Sequence, residues 1–277
     1  MLRIKSLLSV VALSLCVSSV ALAKTQLELG TEQYNNEDYT GAYKTLIEVA
    51  KEDDADAQFV VGHMLLFGLG VEKATTSAYD WLKKSAEAGN PNAQSYMGNL
   101  YIIGELVPQS DNEAAKWFTA AANGGIAESQ NDLAHMYMEG RGVEKSMEKA
   151  VEWFTKSAEQ QFTEAQLSLG LIYEQGLSVK QDYTKAGELY RLAAEEGSPQ
   201  GMHNLGLLMY YGNGFEKNSE KACGFFTMAA KMGFQDSVDN LNILIQKGIC
   251  KKVPMPNHKK SLVDPNFNQV APLNNSL

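Results

Sequence analysis

Positive charge is scarce in this 277-residue chain: 24 Lys and Arg stand against 33 Asp and Glu, a formal charge of −9. Proteins that hold nucleic acid or an anionic membrane surface need a basic footprint, so this balance excludes both as partners. Cysteine is scarcer, and 3 residues cannot build a disulfide-dense scaffold. After residue 23 no apolar run approaches the ~20 residues of a spanning helix. Proline is limited to 7 residues while glycine reaches 23, so glycine carries most of the punctuation. What is left is a globular composition, 44% hydrophobic and 21% charged.

The start of the chain reads as a leader. Arg3 and Lys5 precede an apolar run from Leu7 to Val20 and the small-x-small triplet Ala21-Leu22-Ala23. This is the pattern of a secretory signal peptide over residues 1–23, with cleavage expected after Ala23. The exported chain would begin at Lys24 with 277 − 23 = 254 residues and a charge of 22 − 33 = −11. Cys16 follows Leu15, where lipid attachment needs a small residue, so a lipid anchor is not expected. The expected location is a bacterial periplasm, with secretion as the alternative and no membrane insertion of the mature chain.

The remainder repeats itself. Gly68, Gly104, Gly140, Gly176, Gly212 and Gly248 are 36 residues apart, as are Ala57, Ala93, Ser129, Ala165, Gly201 and Ser237. Two more alanine columns run from Ala42 to Ala222 and from Ala50 to Ala230, and a large apolar column reads Trp81, Trp117, Trp153, Leu189, Phe225. A fixed register at this period signals a solenoid of stacked units. Within a unit, Ala165-Gln166, Leu169-Gly170 and Ile172-Tyr173 fall on one face of a helix, and Gly176 ends it. A second helix is expected over about Tyr183 to Glu196. The fold class is therefore all-α, with tandem 36-residue helix-turn-helix repeats.

The pattern A-Q-x-x-L-G-x-x-Y-x-x-G, then K-A-x-x-W-F-x-x-A-A-x-x-G, resembles the Sel-one-like repeat, a relative of the tetratricopeptide repeat. Ala165 to Gly197 carries it nearly whole, and Ser129 to Gln161 departs at Ala134 and Gln161. The resemblance implies a right-handed α/α superhelical solenoid acting as an adaptor or scaffold without chemistry of its own. The expected organisation is a half repeat or cap over 24–56, five repeats over 57–236 and a terminal capping helix over 237–250. Residues 251–277 hold four prolines and many asparagines and are expected to be extended or disordered; the alternative is that they fold back or dock a partner.

Candidate chemistry is thin. Ser146-Met147-Glu148-Lys149 fits S-x-x-K and Ser110-Asp111-Asn112 fits S-D-N, pieces of a penicillin-interacting serine hydrolase. Their order is reversed, no K-T-G follows, and both sit where serine caps a helix, so capping is expected. His63 and His135 share a column two repeats apart, too far for one ion, and neither a metal nor a cofactor is expected. Cys223 and Cys250 lie on elements that should pack side by side, so a structural disulfide is expected in an oxidising compartment.

The variable positions of the first helices are the expected binding groove. They include Phe59, His63 and Leu66, then Asn99 and Ile102, His135 and Met138, Leu171, and Leu207 with Tyr210 and the neighbouring Tyr211. Apolar and aromatic anchors mixed with Asn and His suit a peptide or partner protein. The expected function is an exported interaction scaffold. A periplasmic regulator of a membrane signalling or envelope complex shares that mechanism, and a β-lactamase-like hydrolase is the competing class.

Overall fold

The structure, a computed structural model, describes residues 25–252. The leader over 1–23 and the tail beyond Lys252 lie outside the described residues. Among those described there is no strand, and they fall into two compact units. The first runs to Ile172 and includes Leu177–Val179; the second takes Tyr173–Gly176 and the chain from Lys180.

The first unit contains α1 (residues 25–35), α2 (Tyr39–Lys51), α3 (Ala55–Phe67), α4 (Thr75–Glu87) and α5 (Pro91–Ile103). It continues with α6 (Asp111–Asn123), α7 (Ala127–Glu139), α8 (Met147–Glu159) and all but the last turn of α9 (Thr163–Gln175). Local chemistry sets these boundaries. Asp54, Asn90, Ser110 and Ser146 each accept a hydrogen bond from the N–H three residues on, satisfying a donor the helix leaves open. Gly68, Gly104 and Gly140 end α3, α5 and α7 in the left-handed region, where a side chain would be strained. Each loop then turns back, so that the Ser110 and Ser146 N–H groups donate to the carbonyls of Tyr101 and Tyr137. At Gly142 a Cβ would overlap the backbone of Asp111, so the third loop rests directly on the start of the preceding second helix.

The core follows from two columns. Leu46, Leu82, Phe118 and Phe154 are fully buried beside the alanines at 42, 78, 114 and 150. A Cβ on Gly98 would collide with the Phe118 ring, so this glycine admits the ring. Burying such a side chain is worth ~1.5–3 kcal/mol. The tryptophan column sits one residue earlier and is only half-buried.

Polar ties stitch neighbouring repeats. Gln58, Gln94 and Gln130 donate from Nε2 to the carbonyls of Ala50, Ala86 and Ala122, at 3.1, 3.1 and 3.0 Å. Each adds a second donor to a carbonyl in the last turn of the preceding second helix, beside the backbone N–H of Asp53, Gly89 or Gly125. Ser85 and Ser157 donate to the Ala55 and Ala127 carbonyls at 2.6 and 2.7 Å.

Residues 25–51 hold a helix pair where a half repeat over 24–56 was expected. The reason lies in register: only residues 36–38 separate α1 from α2, against seven residues (68–74) between α3 and α4. The 36-residue frame therefore misses α1, which packs closely enough that a Cβ on Gly30 would overlap Leu46.

The second unit comprises the end of α9, α10 (Tyr183–Glu195), α11 (Pro199–Tyr211), α12 (Ser219–Lys231) and α13 (Gln235–Gln246). Tyr190 and Phe226 hold the deep core positions. Tyrosine there needs a partner for its hydroxyl, which donates to Glu174 Oε2 at 2.7 Å. Ala222, Phe226, Leu241 and Leu244 close the core beside Cys250. A disulfide joins Cys223 to Cys250, with their Cα atoms 5.6 Å apart.

Candidate recognition surface

The positions picked as a groove do not share one fate. Phe59 and His63 are buried, 7% and 8% exposed, and this corrects their assignment to an open groove. The helix missed by the 36-residue frame is the cause. Tyr34 of α1 reaches over α3, its hydroxyl 3.2 Å from His63 Nδ1, while Phe67 lies 4.6 Å from the imidazole on the other side. Burial pushes the His63 pKa down to about 4 and the Tyr34 hydroxyl up to about 12.

Leu66, Asn99, Ile102, His135 and Met138 are half-buried. Ile102 packs on the cluster that contains Phe118, and His135 meets the Phe154 ring edge-on at 4.8 Å. Leu171 is exposed. In the second unit Leu207 and Tyr210 pack against the cluster around Phe226, and Tyr211 is 64% exposed, edge-on to Tyr210.

Part of the exposed apolar surface lies one residue later than the expected column. Phe67 and Ile103 of the first unit, 38% and 60% exposed, and Tyr211 of the second each stand immediately before the capping glycine. With the half-buried Leu66, Ile102 and Met138 they put apolar side chains at the C-terminal ends of successive first helices. Ile103 was missed because the 36-residue column that holds it reads Phe67, Ile103, Glu139, Gln175, Tyr211, with two polar residues in its middle.

The remaining chemistry-like features have structural partners. Ser110 and Ser146 accept from the Glu113 and Lys149 N–H groups, which uses both serines as caps. His203 Nδ1 lies 2.7 Å from the Ser237 hydroxyl, and its ring packs between Phe226 and Phe234. Among the described residues no three of His, Cys, Asp and Glu gather as a metal site, and no helix is long and apolar enough to cross a membrane. Arg141 makes two hydrogen bonds to Asp111, at 2.8 and 3.3 Å, which hold that carboxyl below its usual range. Asp132 behaves oppositely: burial, with Glu128 nearby, raises it to about 6.

The Sel1 repeat matches this sequence in five consecutive copies, over residues 55–90, 91–126, 127–162, 163–198 and 199–234. Among solved structures, the chain is similar to c5321, a protective antigen present in uropathogenic Escherichia coli strains and displaying an SLR fold. The identity is 28% and the TM-score 0.77, over 85% of this chain and 52% of that one. This chain thus spans about half the length of the E. coli antigen. A Sel1 repeat protein from Oxalobacter formigenes is 27% identical with a TM-score of 0.73, over 82% of this chain and 91% of the other. No curated protein matches the chain.

Proposed function

The chain belongs to the Sel1 repeat family, whose members are generally protein–protein interaction scaffolds, and on that premise we propose that it is an exported adaptor without catalytic activity. The observation that carries the reading is the run of apolar side chains before the capping glycines of α3 and α5, where Phe67 and Ile103 face solvent. Large apolar groups exposed at the same position of two successive first helices supply anchors for a partner. The half-buried Leu66, Ile102 and Met138 broaden that surface. A periplasmic location is supported by the basic, apolar and small-residue order of residues 1–23.

The experiment is crosslinked capture from the native cell envelope, comparing the wild-type chain with Phe67→Asp and Ile103→Asp. Loss of one specific crosslinked partner in both variants is the expected result, with helicity unchanged in both and melting unchanged in Ile103→Asp, which leaves the packing of His63 intact. Retention of every crosslinked species sinks the assignment of this surface.

A further inference from the structure

The second unit contains a cleft of about 590 Å³ between α10 and α12. Met202, Leu205 and Met209 of α11 form its floor, and Phe225 and Met228 of α12 form one wall. Glu188, Arg191 and Glu195 stand on its rim, with Arg191 paired to Glu195 at 2.6 Å.

At the equivalent place in the first unit, among α6, α7 and α8, larger side chains pack. Trp153 and Tyr137 pack there on the cluster that includes Ala115, Ala122 and Leu133. The Lys156 ammonium lies 3.8 Å over the Trp153 ring, and Gln130 bonds the Ala122 carbonyl. Counting on 72 residues, Phe225 replaces Trp153, Met209 replaces Tyr137, Met202 replaces Gln130 and Met228 replaces Lys156. Four changes together remove an indole, a phenol, an amide and an ammonium, leaving one smaller ring and three thioethers. Against these losses, Phe215 in place of Val143 brings a ring onto Gly187, which stands in place of Ala115; the lining as a whole is apolar and rich in methionine, the adaptable kind that closes around a guest.

We propose that this cleft seats the chain's own C-terminal segment, residues 253–277, with the Phe267 ring resting on Met202, Leu205 and Met209 beside Phe225, the residue that takes the place of Trp153. The tether supports it. Cys250 is fixed by its disulfide to Cys223 on α12, the helix that forms the cleft wall. From Cys223 to Met228 is five helical residues, ~7.5 Å, whereas the 17 residues from Cys250 to Phe267 span up to ~56 Å. Composition supports it as well, because Phe267 is the one aromatic residue of the segment and has Val263 and Val270 nearby. Charge agrees. Residues 251–277 hold four lysines and one aspartate, +3, so the preceding residues carry −12 of the total −9. Lys259 and Lys260 precede the anchor in sequence, and the cleft rim offers Glu188, which has no ion-pair partner among the described residues. The inference rests on the second unit alone and is independent of the partner surface on α3 and α5.

Hydrogen peroxide oxidation of the full-length exported chain, read methionine by methionine in a mass spectrometer, tests it. In Phe267→Asp, Met209 and Met228 are expected to oxidise about threefold or more faster than in the wild type, with Met232, exposed and outside the cleft, unchanged. Equal rates in the two proteins overturn the proposal. A p-benzoylphenylalanine in place of Phe267 is expected to crosslink within one chain to a cleft methionine, at a yield independent of concentration. A crosslink to the first unit, or one between two copies that grows with concentration, also overturns it.

Discussion

His63 offers the sharpest test of how the first unit is packed. Its imidazole is 8% exposed and contacts Tyr34, Phe59 and Phe67, none of which carries charge near neutral pH. Burial alone lowers its pKa to about 4, so nothing in the folded state compensates a proton on the ring. The unfolded chain takes up that proton at the ordinary value of ~6.5. The folded value being the lower, His63 contributes its full share of stability above pH 6.5. That share is lost as pH falls from 6.5 to about 4. A shift of ~2.5 units at ~1.4 kcal/mol per unit amounts to about 3.5 kcal/mol across the window. Chemical denaturation of the wild type and His63→Gln at pH 7.5 and pH 4.5 reads the difference, and the proton resonance of the imidazole Cε1–H reports its pKa directly. The variant is expected to lose about 2–3 kcal/mol less than the wild type on acidification. An imidazole that titrates near 6.5, or parallel losses in both proteins, would refute the burial of His63 beneath α1.

Asp132 carries the opposite sign. Its raised folded pKa of about 6 means that its protonated form is favoured in the fold, so the stability it contributes is present below pH ~3.9 and lost as pH rises through 6. Asp132→Asn is therefore expected to raise stability at pH 7 by about 1–2 kcal/mol, a gain that should vanish near pH 3.5 in the same denaturation assay. Gln130→Met copies the residue found at position 202 and removes the bond to the Ala122 carbonyl, as well as the Gln160 contact at 2.8 Å. The loss is expected at about 1–2 kcal/mol, read as a lower denaturation midpoint with unchanged slope. Cys223→Ser with Cys250→Ser opens a loop of 27 residues, and chain entropy sets the cost near 3.5 kcal/mol. Amide exchange should then quicken in α13 and leave α3–α6 untouched.

Most of the fold was legible because repetition averages out local ambiguity. One Gly column ends α3, α5, α7 and α11, and the alanine columns mark the helix–helix contacts. Helix α1 was not legible, because it joins α2 through a short turn that breaks the 36-residue frame. That omission propagated to Phe59 and His63, which look exposed only when nothing covers α3. The aromatic core was displaced by one residue. Tryptophan at 81, 117 and 153 is the more conspicuous repeat, yet Leu82, Phe118 and Phe154 are the residues that go fully inside. The cleft at α10–α12 escaped notice for a different reason. It arises from what four columns lose in a single repeat, and such a loss shows only when the bulkier version lies alongside.

The polar ties of the first unit have a consequence for how such a chain can change length. Gln130 reaches eight residues back to Ala122, Ser157 thirty back to Ala127, and Asn90 thirty-four back to Asp56. None of these reaches past the adjacent repeat. An in-frame deletion of 91–126 would leave Gln130 eight residues from Ala86, a carbonyl of the same column that Gln94 now uses. The glutamine bond lost at the junction is offered again by the neighbour, whereas the Arg141 pair with Asp111 is not, because Thr75 stands in that place, so copy number can drift by recombination at the cost of one surface ion pair. Met202 breaks that interchangeability: a splice that placed its repeat elsewhere would carry no glutamine to the seam.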